Sequence, residues 1–571
     1  MIINNCLEIS SVEDSIANAI KSATYDPDAE VNSSDSLIND LSIDSLEMQV
    51  IFQQLSAEYG VAIKIKDILV SINDIIESLL AIDDNNYNMI LGEITNKVGL
   101  SFTEEDNSDF LDRKVNNQNR NLMVRCILEY ITVNSVANCI IFLRGAKMNN
   151  RVVITGIGIA SPAGNTISDA WNSWENGMSN TDRLPGFDFA AAQVKNPLLD
   201  YSGLNLPDHP INRASEFALS ALIEALDSAQ LSSDDVDPYE TGVLIGVAPS
   251  FSNDELFHQE LTNHRFLSLD SVKNEYAQAI KKGHIHSDKF EYFSCGYHPA
   301  STISSALGIR RLSRGISNAC ASGAYSVCMG YDLIKTGRLG TAITGGTGAV
   351  INTEGLSLFS VLDVMSKDSD FVHACRPFDK NRSGLVIGEG AGIIILESLD
   401  RAQKRGAPIF AEVLGYSAIT DTYHITTPET TGELCGELIL DAIDASGIPS
   451  ECIDYINAHG TSTYYNDVIE TKGIKKAFGE KAYDIPISSL KSMIGHLMSA
   501  AGAVELIATI MTIKNSIILP TINYETADPD CDLDYVANIK RKKAVRYAIS
   551  NSFGFGGQNV SVVLGGVMQE L

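Results

Sequence analysis

GISNACASGAYSVCMGYDLIKTGRLGTAITGGTG, residues 315–348, decides the fold. A short strand-like run ends at small residues, Ala319, Ala321, Ser322 and Gly323, which permit a sharp turn around Cys320. A helical pattern follows, and TAITGGTG at 341–348 reads as a buried strand ending in glycine. The same grammar recurs on either side. Arg151-VVITGIGIASPAG precedes a helix containing Trp171 and Trp174, and apolar strands recur at 242–250, 392–398 and 454–460. Strand–helix alternation argues an α/β fold with helices covering the sheets. There is also an internal echo. HLMSAAGAVELIATIMTIKNS, from His496, repeats the pattern that starts at Cys320: a reactive residue before a small-residue helix. Two such halves would place Cys320 and His496 at equivalent helix N-termini.

The whole chain has 571 residues, enough for roughly two to four domains. Lys and Arg number 42 against 72 Asp and Glu, a net charge of −30. Such a surface repels nucleic acid and anionic membranes. Residues 1–100 hold 17 acids and 4 bases, so an acidic N-terminal module precedes a more balanced body. The ten cysteines form no CxxC pair, which argues against a disulfide scaffold or a zinc ribbon. No secretory signal opens the chain. The longest apolar stretch, Leu122–Leu143, is interrupted by Arg125, Glu129, Asn134 and Asn138 and does not read as a membrane span. A reducing cytoplasm is the expected setting.

Within residues 1–85 the stripes Val12, Ile16, Ile20, then Leu46, Val50, Ile51, Leu55, then Ile72, Ile75, Ile76, Leu79 predict a small all-α bundle. Asp44-Ser45-Leu46 stands where a helix begins, with Asp44 as a candidate N-cap. This stretch resembles an acyl carrier protein, a four-helix bundle. The resemblance implies a covalent 4′-phosphopantetheine on Ser45 and a phosphopantetheinyl transferase that installs it. A phosphodiester there suits the positive end of a helix. Residues 86–147 read as a linker, partly helical, with no assigned chemistry.

The body, residues 148–571, carries a constellation. Cys320 lies between strand and helix, where a helix N-terminus favours thiolate. His459 follows a strand in NAHGTST, and His496 lies five residues after Lys491. One cysteine and two histidines, each beside glycine and small residues at element ends, point to nucleophilic catalysis. The surrounding stretches ACASG, RPFDKNRSGLVIGEGAG, TYHITTP, NAHGTST, KSMIGHLMSAAGAVE and NSFGFGGQN closely resemble the β-ketoacyl-acyl-carrier-protein synthases of type I/II, in the thiolase-like superfamily. The resemblance implies a five-layered αβαβα fold and a homodimer. It also implies roles. Cys320 takes an acyl chain as a thioester. His459 and His496 serve decarboxylation of a malonyl thioester. Lys491 holds the histidine site with Glu470 as its ionic partner. The N–H groups of Cys320 and Phe555 form an oxyanion hole. Thr461 and Thr463 contact pantetheine, and Asp421–Pro428, with His424 and Thr426, is a mobile loop at the entrance.

The chain departs from the family in three places. GVAPSFSND at 246–254 lacks the usual Gly-Gly character, extra residues lie around 281–286, and Tyr464-Tyr465 follows GTST. His284 and His286 are read as a solvated loop, so no metal is assigned. The leading reading is a carrier–synthase fusion performing decarboxylative Claisen condensation in fatty-acid-like or polyketide assembly. An acyl-loading transferase and a noncatalytic chain-length-factor-like partner are the alternatives. Expected partners are malonyl- and acyl-loaded carriers, with a separate malonyltransferase and ketoreductase. Two basic runs are candidate docking patches for the acidic carrier: Lys540-Arg541-Lys542-Lys543 with Arg546, and Arg310-Arg311 with Arg314.

Overall fold

The computed structural model describes residues 150–566, apart from 186, 196, 207–210 and 249–295. The chain divides into two units, Met1–Asn149 and Asn150–Leu571. The carrier-like stretch with Ser45, the linker at 86–147 and the run containing His284 and His286 lie outside the described residues.

Ten strands are hydrogen-bonded edge to edge, and their two halves form the two sheet layers. They are β1 (Val152–Ala160), β2 (Thr241–Val247), β3 (Leu312–Ile316), β4 (Thr341–Gly348), β5 (Gly390–Ser398), β6 (Ala411–Thr420), β7 (Tyr455–Asn457), β8 (Ile487–Ser488), β9 (Tyr547–Gly554) and β10 (Gln558–Gly565). Their spatial order is β8-β7-β9-β10-β6-β1-β5-β4-β2-β3. The order is a duplication. Strands β1–β5 lie as 3-2-4-5-1, and β6–β10 repeat that order as 8-7-9-10-6. The halves join where β1 runs antiparallel to β6, Val152 opposite Val413 and Ile154 opposite Ala411. In each half three strands are parallel, β3-β2-β4 and β8-β7-β9, and the other two run against their neighbours. The echo seen in the sequence is therefore structural. Cys320 follows β3 and His496 follows β8 at corresponding places.

Helices cover both faces, which explains why β1, β2 and β4 are buried along their whole length and do not alternate polar with apolar residues. The named helices are α1 (Ile167–Glu175), α2 (Arg213–Ser228), α3 (Ser322–Lys335), α4 (Thr353–Val361), α5 (Glu433–Ser446), α6 (Tyr464–Phe478) and α7 (Ala501–Asn515). The middle layer is α3 and α7. Val327 and Tyr331 of α3 and Leu506 and Ile510 of α7 share one core with Leu244 and Leu396 from the first half and Val413, Val560 and Val562 from the second. Helix α2 covers the outer face of the first half through Phe217, Leu222 and Ala225. Helices α5 and α6 cover the second through Ile439, Ile443 and Ile474. The layers are helix, sheet, helix, sheet, helix, the arrangement implied by the thiolase-like resemblance.

Glycines set how closely the middle layer approaches. A Cβ on Gly246 of β2 would lie 2.4 Å from the Gly323 nitrogen, and one on Gly346 of β4 would lie 2.3 Å from the Ser499 carbonyl. Backbone atoms cannot yield at such distances, so only glycine lets the start of α3 and the turn before α7 meet the sheet. Those two turns carry Cys320 and His496.

Candidate active site

The turn before α3 is stapled by Ser322. Its Oγ accepts from the Asn318 N–H at 2.8 Å and donates to the Ala319 carbonyl at 2.6 Å. Ala319 takes a φ of +46°, an uncommon conformation for a residue with a side chain. The strained turn leaves Cys320 partly open to a cleft of about 490 Å³. His459, His496, Thr461, Thr463, His424, Thr426 and Phe555 line the same cleft. The structure thus gathers around one opening residues that are separated by up to 235 positions in sequence.

Each histidine is held in a defined way. The His459 and Gly460 N–H groups donate to the two Glu470 oxygens, both at 2.8 Å, and the Asn551 amide donates to Glu470 at 3.1 Å. Lys491 Nζ donates to the His459 carbonyl at 2.6 Å and faces its Nδ1 at 3.3 Å. An ammonium has only donors, so His459 Nδ1 is the acceptor and the ring proton sits on Nε2. The His496 N–H donates to Val386 O at 2.7 Å, and Gly388 N–H donates to His496 O at 2.9 Å. Met498 N–H donates to His496 Nδ1 at 3.3 Å, which again leaves the proton on Nε2. The two rings stand edge to face, centroids 5.3 Å apart. Burial, and then the Lys491 charge, holds both imidazoles well below their usual range, so both are neutral N–H donors near pH 7.

One expected partnership is corrected. Glu470 is not the ionic partner of Lys491. Its carboxylate is occupied by the backbone and Asn551, and burial pushes its pKa up to about 7 against the pull of the Gly460 and His459 amides. Lys491, 1% exposed, pairs instead with Glu505 of α7. Burial also pushes Glu505 up to about 7, opposed by the adjacent ammonium. Sequence reasoning missed Glu505 although a signal was there: it is the only acid in the apolar helix AGAVELIATIMTIKN, and such a carboxylate needs a buried partner. It also missed Arg382, which lines the cleft, pairs with Asp528 at 2.6 Å and with Asp467 at 3.6 Å, and donates to the Thr463 and Tyr464 carbonyls. Thr461 and Thr463 join their hydroxyls at 2.8 Å beside it.

The thiol also departs from expectation. Burial pushes Cys320 up to about 11, despite the Lys491 charge and the N–H groups of Phe555 and Cys320, which act the other way. The helix start does not make a resting thiolate. Those two N–H groups lie close enough to oppose that rise, and the same amides are available to an oxyanion formed beside the sulfur. Phe555 belongs to the β9–β10 turn, where Gly556 and Gly557 have φ of +75° and +74°. The turn is tied to the entrance segment: Gly556 N–H donates to Ile425 O at 2.7 Å, and Asp421 N–H to Gly557 O at 2.9 Å. Among the described residues, no group of three or more His, Cys, Asp or Glu is placed to hold a metal. No described helix is long and apolar enough to cross a membrane.

A thiol that shares one cleft with two neutral imidazoles suits a condensing enzyme of the Cys-His-His class. Comparison with known proteins agrees. Residues 149–402 match the β-ketoacyl synthase N-terminal domain and 410–525 its C-terminal domain. The chain is 37% identical over 420 residues to a 3-oxoacyl-[acyl-carrier-protein] synthase 2 of Synechocystis, covering 72% of this chain and 97% of that one. It is 36% identical over 431 residues to the synthase of the same name from Staphylococcus aureus strain N315, covering 73% and 98%. A solved type II polyketide ketosynthase in complex with its acyl-carrier protein superimposes with a TM-score of 0.64 at 31% identity, over 74% of this chain and all of that one. The ishigamide ketosynthase/chain length factor gives 0.64 at 32%, with the same coverage. The chain belongs to the β-ketoacyl synthase family and is a condensing acyltransferase.

Two outcomes follow from the electrostatics. Below its pKa a thiol gains thiolate tenfold per pH unit, so alkylation of Cys320 by iodoacetamide, followed by peptide mass spectrometry, is expected to rise about tenfold per unit from pH 7 to 10. A plateau at or below pH 8 would show a pre-formed thiolate. Glu505→Gln leaves the Lys491 ammonium without its counter-ion, a loss of about 3–5 kcal/mol for a broken buried pair. The variant is expected to melt lower and to lose at least about tenfold in malonyl decarboxylation, while acylation of Cys320 persists. Equal loss in both half-reactions would contradict a role through His459.

Proposed function

We propose that the chain is a carrier–ketosynthase fusion that extends an acyl chain by two carbons in fatty-acid-like or polyketide assembly. The observation that carries this is that Cys320 and the two neutral imidazoles of His459 and His496, whose rings meet edge to face, line one cleft. In the first half-reaction the Cys320 sulfur attacks an incoming acyl thioester. The new acyl–Sγ bond replaces the old one, and the thiol proton leaves with the departing thiolate. In the second, the malonyl thioester loses CO₂ and its electron pair becomes an enolate. His459 and His496 donate to the enolate oxygen without carrying charge themselves. The enolate carbon attacks the acyl carbonyl, whose oxygen turns to the N–H groups of Cys320 and Phe555. Collapse expels the Cys320 thiolate, which takes a proton from solvent. Storing one substrate on sulfur divides a hard step into two easier ones.

The surroundings of Cys320 support an apolar substrate. The residue packs against a cluster containing Leu184, Val350, Leu356, Leu385 and Met498, with Phe359 beside it. The paired hydroxyls of Thr461 and Thr463 fit the amides of a phosphopantetheine arm, whose thiol would carry the acyl group when bound. Ser45 is the proposed attachment site of the arm in residues 1–85. A cytoplasmic homodimer served by separate malonyltransferase, ketoreductase and phosphopantetheinyl transferase completes the reading.

Intact-mass analysis and a CO₂ assay test it together. Coexpression with a phosphopantetheinyl transferase is expected to add about 340 Da, as the arm's formula requires, to the wild type and nothing to Ser45→Ala. Cys320→Ala is expected to release CO₂ from a malonyl thioester yet form no condensation product. Condensation by Cys320→Ala would overturn the mechanism, and absence of the added mass would remove the carrier assignment alone.

A further inference from the structure

The wall of the cleft holds a charge pair that the condensing chemistry does not use. Arg382 lines the cleft, whereas the two basic runs singled out in the sequence do not. Its side chain is 1% exposed, that of Asp467 is completely buried, and the two pair at 3.6 Å. The guanidinium also donates through Nη1 to Asp528 at 2.6 Å and to the Asp379 carbonyl at 2.7 Å. Its remaining reach goes to the turn after His459. Nε donates to the Thr463 carbonyl and Nη2 to the Tyr464 carbonyl, both at 3.3 Å. The guanidinium lies over the Tyr464 ring at 5.3 Å.

That turn is strained. Ser462 takes a φ of +68°, uncommon for a residue with a side chain. The stretch RPFDKNRSG, residues 376–384, grips it along its length. The Arg376 N–H donates to Ser462 Oγ at 3.0 Å, the Gly384 N–H to the Ser462 carbonyl at 3.1 Å, and Arg382 takes the next two carbonyls. Asp467, in the first turn of α6, adds to the grip. Its carboxylate accepts from the Phe378 N–H at 2.8 Å, and the Thr461 N–H lies close enough to favour its charge. Its own N–H donates to the Thr463 carbonyl at 3.4 Å. Thr461 and Thr463 are thereby held with their hydroxyls 2.8 Å apart on the cleft wall. In such a pair one hydroxyl donates to the other, which leaves one O–H to give and one oxygen to receive. An amide, with a carbonyl and an N–H, meets that pattern.

We propose that Arg382 and Asp467 are positioning residues for substrate capture. Their ion pair holds residues 461–464 in the strained conformation that presets the Thr461–Thr463 hydroxyl pair for an amide of the phosphopantetheine arm. This rests on the reading above that the arm passes these hydroxyls. A buried ion pair adds little net stability over apolar packing, because both charges lose their water. Its value here is geometric. The planar fork of Arg382 reaches two carboxylates and three carbonyls from one fixed place. A lysine ammonium is a point charge with three donors and does not span that set. Both residues act through the turn and not on the reacting atoms.

The test uses the full chain carrying Ser45→Ala, so that its own arm cannot compete. Acyl and malonyl groups are supplied as N-acetylcysteamine thioesters, which keep one amide of the arm, or as thioesters of O-acetyl-2-mercaptoethanol, in which an ester oxygen replaces that N–H. With the turn unaltered, the amide form is expected to be favoured about tenfold in kcat/KM, and Thr461→Val with Thr463→Val is expected to abolish the preference. Arg382→Lys is expected to cut the preference to about twofold or less, chiefly through KM. Asp467→Asn reads the same ratio should the lysine variant fail to fold. An unchanged ratio in these two variants, even at lower overall activity, would show a merely structural pair and overturn the proposal. Loss of the preference in the threonine variant alone would leave the arm contact standing and overturn the positioning role. No amide preference with the turn unaltered would overturn the arm contact and the proposal together, and leave the condensing reaction standing.

Discussion

The site depends on one buried cation. An ammonium removed from water is costly unless its donors are met and its charge is balanced. Lys491 satisfies both conditions with the Glu505 carboxylate, the His459 carbonyl and the His459 ring. The same contacts set the His459 tautomer, and the Lys491 charge reinforces burial in keeping both histidines neutral. Glu505 comes from α7, and the turn leading into α7 presents His496. Glu470 of α6 grips the other side of His459 through the backbone. Three elements of the second half are thereby locked to one charge.

Duplication explains how a single nucleophile meets this arrangement. Corresponding turns after β3 and β8 bring Cys320 and His496 to the same interface, because α3 and α7 pack side by side between the two sheets. Close packing has a chemical consequence. It limits the sulfur's access to water and pushes the thiol up, so the resting group is protonated near pH 7.

The entrance and the oxyanion hole are mechanically joined. Phe555 lies in a turn whose two glycines hydrogen-bond to Asp421 and Ile425 of the entrance segment. Asp421 in turn accepts from the Tyr423 and Glu429 N–H groups. A displacement of the segment at the mouth therefore moves an amide that faces the sulfur.

The sequence by itself determined the α/β class and the two-half pattern, and it singled out Cys320, His459 and His496, which the structure brings to one cleft. These signals are local: strand runs, small residues at turns, and Cys or His at element ends depend only on neighbours a few positions away. Glu505 was visible as a lone acid in an apolar helix, yet which cation it served was not. Tertiary structure decided that Lys491 meets Glu505, that Glu470 serves backbone amides, that Cys320 rests as a thiol, and that the basic runs do not line the cleft. Each of those outcomes depends on which distant groups share a buried volume. Charge pairing and desolvation act through space, and distance along the chain does not measure them.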